Sequence, residues 1–215
     1  MDQATSDALH WSWDFLARTL SVLVMSLGFD TFVPDLIARR ARNIAFREVR
    51  CLEALARRLL LVESGHLKGE LGMVTEAPPS ETRKARLRRR GKVNAPGFGL
   101  FEPLPDPYAE FRTRGDQNLP FKATLSPCDL AQSKGLARRI AALQSLLQDP
   151  AKAARRLAHW RARPKVRRAV SIRMGRPPGN GCNPTEDLMA STLWHAHQLA
   201  MAELNRGPPG RRRTA

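Results

Sequence analysis

A chain of 215 residues and 24.0 kDa carrying a net charge of +16 has room for one domain or two small ones. Its three cysteines, Cys51, Cys128 and Cys182, are odd in number and far apart, which argues against a disulfide framework and for a reducing compartment. The most apolar run, TLSVLVMSLGF between Arg18 and Asp30, is only 11 residues long where a spanning helix needs about 20, and acids precede the first basic residue, so the expectation is a cytoplasmic protein with neither a membrane span nor a signal peptide.

The first element reads as a helix capped by Ser6 or Asp7 and running to about Leu27, where Gly28 ends it. Leu9, Trp13, Leu16, Leu20, Leu23 and Leu27 line one face at spacings of three or four. A second helix is expected from Pro34 to about Glu63, with Ile37, Ala41, Ile44, Leu52, Leu55, Leu59 and Val62 on its apolar stripe and Glu48 interrupting it. Arg39, Arg42, Arg47, Arg50, Arg57 and Arg58 fall off that stripe, and Glu53 is placed to pair with Arg57 on the helix surface. The run SGHLKGELG is read as the end of the helix.

Residues 76–126 hold Pro78, Pro79, Pro96, Pro103, Pro105, Pro107 and Pro120, too many for long regular structure. Four aromatics close by, Phe98, Phe101, Tyr108 and Phe111, are expected to pack this segment across the helices. The chain then turns helical again. Ser126 caps and Pro127 opens one helix, whose stripe is Leu136, Ile140, Leu143 and Leu147. Asp149 and Pro150 open the next. Alternating Val170, Ile172 and Met174 suggest one short strand near 169–174, and Asn183 with Pro184 starts a last helix. The fold class is therefore mostly α. A helical hairpin (1–75) and a basic helical unit (127–206) are joined by a proline-rich irregular segment (76–126), with a disordered tail at 207–215.

Charge is distributed unevenly. Residues 1–75 are neutral, whereas between Lys134 and Arg176 there are 13 Lys/Arg and a single acid, Asp149. Arg outnumbers Lys 29 to 7, which a coding bias explains, but such a bias does not remove acids. Within that region Lys152, Arg155, Arg156, His159 and Arg163 fall on one continuous helical stripe, while Ala153, Ala154, Leu157 and Trp160 cover much of the other side. Guanidinium groups crowded without counter-charges repel one another and are relieved by a polyanion. The candidate nucleic-acid-binding residues are these five with Lys165, Arg167, Arg168, Arg173 and Arg176. A second basic run in the linker adds Arg83, Lys84, Arg86, Arg88, Arg89 and Arg90.

The loop MGRPPGN resembles the core of an AT-hook, the minor-groove arm, in Gly175, Arg176 and Pro177. Met174 and Pro178 stand where that motif has basic neighbours, and the loop is read as a structural connection. His195 and His197 lie about 200° apart on a helix, so with Cys182 they do not form a metal site. The loop GRPPGNGCNPTED lacks the Lys-Ser/Thr of a nucleotide loop, and Ser64 with His66 has no third partner in view. No cofactor and no catalytic residue is assigned. The reading is a non-enzymatic, nucleic-acid-associated protein that grips backbone phosphates without sequence readout. The alternatives are a helical protein–protein adaptor working through the N-terminal hairpin, with a merely solvated basic face, and a membrane-surface-associated protein.

Overall fold

The computed structural model describes residues 3–67, 98–100, 129–161, 172 and 187–205. Those residues are mostly helical: α1 (Gln3–Ser26), α2 (Arg39–Leu67), α3 (Lys134–Gln148), α4 (Pro150–Arg161) and α5 (Leu188–Asn205). A two-stranded antiparallel sheet joins β1 (Leu36–Ala38), just before α2, to β2 (Leu130–Gln132), just before α3, with Ile37 opposite Ala131.

α1 buries Leu9, Leu16, Leu20 and Leu23, the face its periodicity predicts, with Trp13 and Leu27 half-buried. It starts at Gln3, ahead of the predicted caps, and Asp7 accepts from Gln3 Nε2 at 2.8 Å instead of capping. It ends as Gly28 foretells. Gly28 takes φ +67°, its N–H donates to Met25 O at 3.0 Å, and Phe29 N–H donates to Val24 O at 3.0 Å. This pair of bonds satisfies the last carbonyls and turns the chain, and it calls for a residue without a Cβ at the left-handed position.

α2 departs from expectation at both ends. Pro34 does not open it, because residues 36–38 are drawn into the sheet by a segment almost a hundred positions later. Ser133 explains that choice: its N–H donates to Asp35 O at 3.0 Å and its hydroxyl donates to Pro34 O, which clamps the start of β1 to the end of β2. The same segment overturns the predicted α3 start, since residues 130–132 are strand where helix was expected from Pro127; Ser126 and Pro127 themselves lie outside the described residues. At its other end α2 does not break at Ser64–Gly65 but runs on to Leu67. Ser64 donates to Leu61 O at 2.8 Å within the helix, and the space beside Gly65 is filled by the Glu203 side chain of α5.

Burial on α2 changes along its length. Ala41 and Ile44 are exposed although they belong to the predicted stripe, and the buried positions of the first half are Ala45 and Val49. From Leu52 to Val62 every residue is buried. A helix buried on all sides is a central helix, and α2 does pack against α1, α3, α4 and α5. One hydrophobic cluster accordingly takes in Leu16, Leu20, Leu55, Leu59, Leu143, Leu157, Ile172 and Leu193, so elements of both predicted helical units share a core. Each such leucine contributes about 1.5–3 kcal/mol on leaving water.

Phe98 packs against this cluster as expected of the aromatic segment. The Arg57 guanidinium sits 5.1 Å from its ring centroid, and Arg57 Nε donates to Gly99 O at 2.9 Å. Phe101, Tyr108 and Phe111 lie outside the described residues, as does the predicted strand apart from Ile172. The Asn183–Pro184 helix start also lies outside them; the described helix begins at Leu188, where Asp187 Oδ1 accepts from Met189 N–H at 2.9 Å. Among the described residues no helix is long and apolar enough to cross a membrane.

Candidate nucleic-acid interface

α4 begins where Asp149 and Pro150 predict. Asp149 Oδ1 accepts the Lys152 N–H at 2.9 Å, and proline in the first turn needs no hydrogen bond. The helix then sorts its residues by face. Ala153, Ala154, Leu157 and Ala158 are buried, and Trp160 packs half-buried against the core. Lys152, Arg155, Arg156 and His159 are exposed on the other side, and none of the four makes an ion pair with another described residue. The remaining candidates, Arg163, Lys165, Arg167, Arg168, Arg173 and Arg176, together with Arg83, Lys84, Arg86, Arg88, Arg89 and Arg90, lie outside the described residues, as do Gly175 and Pro177.

Arg161, at the end of α4, behaves differently from the four exposed groups. Its NH1 donates to Ser64 Oγ at 3.0 Å and to Leu61 O at 3.4 Å on α2. Burial pulls its guanidinium below the ordinary arginine value, and the charge of Glu203 pulls it back up. Arg161 is thus a fastener for α4, and the stripe beside it is held in place by the packing rather than by charge.

Further buried polar groups tie α2 to its neighbours. Glu53, expected on the surface, is buried and receives two parallel bonds from Arg139 on α3, Nε to Oε1 at 2.8 Å and NH2 to Oε2 at 2.8 Å. Arg57 adds a third contact to Glu53 at 3.3 Å; the predicted pair exists, but inside the protein. Arg58, also expected off the apolar stripe, is wholly buried. Its NH1 donates to Ala54 O at 2.9 Å and its Nε to His197 Nδ1 at 3.2 Å, so the imidazole accepts there and holds its proton on Nε2. His197 is buried and His195 exposed, on opposite sides of α5 as their spacing requires. Trp13 Nε1 donates to Glu63 Oε1 at 2.6 Å; burial pushes that carboxyl above its ordinary value and the indole bond opposes the push. Among the described residues no three His, Cys, Asp or Glu side chains come together as a metal would need.

A second basic surface escaped the charge sums. The first half of α2 presents Arg39, Arg40, Arg47 and Arg50 to solvent with Arg42 half-exposed. The 1–75 segment is neutral because its acids lie elsewhere: between residues 39 and 50 there are five arginines and one acid, Glu48. A charge count over a dozen residues, in place of a whole segment, reveals it.

Comparison with protein families, with curated proteins and with solved structures finds no match to this chain.

Proposed function

We propose that this protein associates with nucleic acid by gripping backbone phosphates, with the exposed cationic face of α4 as its contact surface. The observation that supports this most is the sorting of α4. Lys152, Arg155, Arg156 and His159 stand exposed on one side without acidic partners among the described residues, while the opposite side is packed into the core. Charges held on a packed helix need not be ordered when a polyanion arrives, so the binding energy is not spent on ordering. Phosphate contacts fix position without reading bases, hence affinity should be indifferent to sequence and sensitive to salt. The test is a salt titration of binding by the Lys152→Gln/Arg155→Gln/Arg156→Gln variant. If the face makes the contacts, the slope of log K against log salt shrinks by about 2–3. An unchanged slope and affinity would remove α4 from the interface.

A membrane-surface role has an observation of its own. Val22, Met25 and Phe32, near the turn between α1 and β1, are 66, 69 and 70% exposed, and Arg39 and Arg40 follow closely in the chain. Exposed apolar tips suit insertion at a bilayer surface, and Asp30 and Asp35, nearer to Phe32 in the chain than the arginines, work against an anionic one. Co-sedimentation with vesicles that is abolished by Met25→Ser/Phe32→Ser would favour this role; no co-sedimentation of the parent would end it.

A further inference from the structure

We propose that the first half of α2 holds a second phosphate-contact site, a recess that takes the backbone of a nucleic acid; this rests on the reading of the chain as a nucleic-acid binder. The recess has a volume of about 340 Å³ and is lined by Arg42, Asn43, Phe46, Arg47 and Arg50. At 100° per residue these five positions fall within about 140° of the helix circumference, so they form one surface. Three of them are guanidinium groups and a fourth is an amide, a lining rich in donors.

The site is built in advance. Arg42 Nε donates to Gln132 O of β2 at 2.9 Å, and its guanidinium carbon lies 4.8 Å from the Phe46 ring centroid. The Arg139 guanidinium sits 5.7 Å from the same ring. Phe46 therefore orients cations instead of offering its face to a base. Arg47 and Arg50 are exposed and make no ion pair with another described residue. The nearby acids do not neutralise them: Asp129 is engaged by Arg39 at 3.0 Å and Glu53 by Arg139 and Arg57. Glu48 projects from the helix outside the arc of the five lining residues.

The occupant follows from the layout. From Arg42 to Arg50 the cations extend over about 12 Å of helix axis, longer than one phosphate group, so a chain of phosphates matches them better than an isolated ion. This site lies on a different helix from the α4 face, and the two share no residue.

The experiment measures binding of a fluorescent 30-nucleotide single strand and a 30-base-pair duplex by anisotropy across a salt series. The full-length parent is compared with Arg47→Gln/Arg50→Gln, with Lys152→Gln/Arg155→Gln/Arg156→Gln, and with Arg18→Gln/Arg138→Gln. The last removes two exposed charges from other helices and controls for net charge. The recess variant should lose about two units of salt slope and roughly tenfold or more in affinity near 0.15 M salt, and the control much less. A recess variant that binds like its parent while the α4 variant weakens overturns the second site and leaves the α4 interface standing. The reverse result keeps the recess and removes α4. Equal losses from recess and control overturn the recess, and a parent that binds neither probe at low salt overturns both.

Discussion

Arg47 and Arg50 lie on the same helix as Arg57 and Arg58, about two turns earlier, yet the two pairs do opposite things. The earlier pair faces solvent without an acidic partner among the described residues. The later pair is buried, Arg57 against Glu53, Phe98 and Gly99 O, and Arg58 against His197 and Ala54 O. A formal charge says nothing about availability. What separates the pairs is the depth of α2 in the molecule, since every residue from Leu52 to Val62 is buried while between Arg39 and Arg50 only Ala45 and Val49 are. Charges in the enclosed half have become part of the fold, and those in the open half remain free to meet another molecule.

The severest challenge to this contrast is the removal of a counter-charge in the enclosed half. Glu53→Gln leaves Arg139 and the buried Arg57 without the carboxylate they share. Losing one partner of a buried pair costs about 3 kcal/mol or more, because the buried guanidinium loses the carboxylate charge that offset its removal from water. For a chain of this size that corresponds to a fall in Tm of roughly 6–12 °C. A thermal melt within about 1 °C of the parent would mean that Glu53 is not the hub the geometry makes it.

Gly65→Ala probes the closest approach of α5 to the same half. A methyl group at Gly65 would occupy the space of the Glu203 side chain, which is itself buried. Alanine favours helix by up to about 1 kcal/mol over glycine, but overpacking costs roughly 1–3 kcal/mol, so a net loss of about 1 kcal/mol is expected in denaturant unfolding. A gain in stability would show that Glu203 moves aside freely.

How much of this was legible in the sequence follows the same divide. α1 could be read almost residue by residue, because it buries one face and its glycine stop is local. The two faces of α4 and its Asp149 cap are also local, and both were legible. The second half of α2 was not. A stripe of leucines predicts one buried face, and Glu53 and Arg58 look like its solvent side until Arg139 and His197, 86 and 139 residues further on, supply their partners. β1 is a similar case, since its partner segment decides it. α5 hid its contact face by building it from Ala190, Ala196 and Ala200 around Leu193, while Leu188 is exposed. Gly65 reads as a helix stop in isolation and is a packing gap in context. The recess on α2 was obscured by averaging charge over a segment in which every acid but Glu48 lies outside residues 39–50.

A smaller effect is expected at Glu63, where burial raises the carboxyl above its ordinary value. A raised value in the folded state means that the neutral form is favoured on folding. Its contribution is fully present below the ordinary carboxylate range and is lost as pH rises through the raised value. Glu63→Gln keeps an oxygen to accept from Trp13 Nε1 but removes that loss. The variant should melt slightly above its parent at neutral pH, with the difference shrinking on acidification. A difference that grew on acidification would reverse the assignment and make the Trp13 bond the larger influence.

The smallest expected change in stability comes from the open half. Arg47→Gln/Arg50→Gln removes two exposed cations that hold nothing in place among the described residues, and Gln has nearly the helix propensity of Arg. Substitutions of this kind usually stay within about 0.5 kcal/mol, and relief of repulsion among Arg40, Arg42, Arg47 and Arg50 acts toward stability. The melt of this variant should therefore overlay that of the parent at moderate salt and rise slightly at low salt, where like charges are less screened. A fall comparable to that of Glu53→Gln would mean that the two halves of α2 do not differ as proposed and that Arg47 and Arg50 are structural. An overlaid melt combined with a shallower salt dependence of nucleic-acid binding is what free cations require, because the binding change then has no unfolding to explain it.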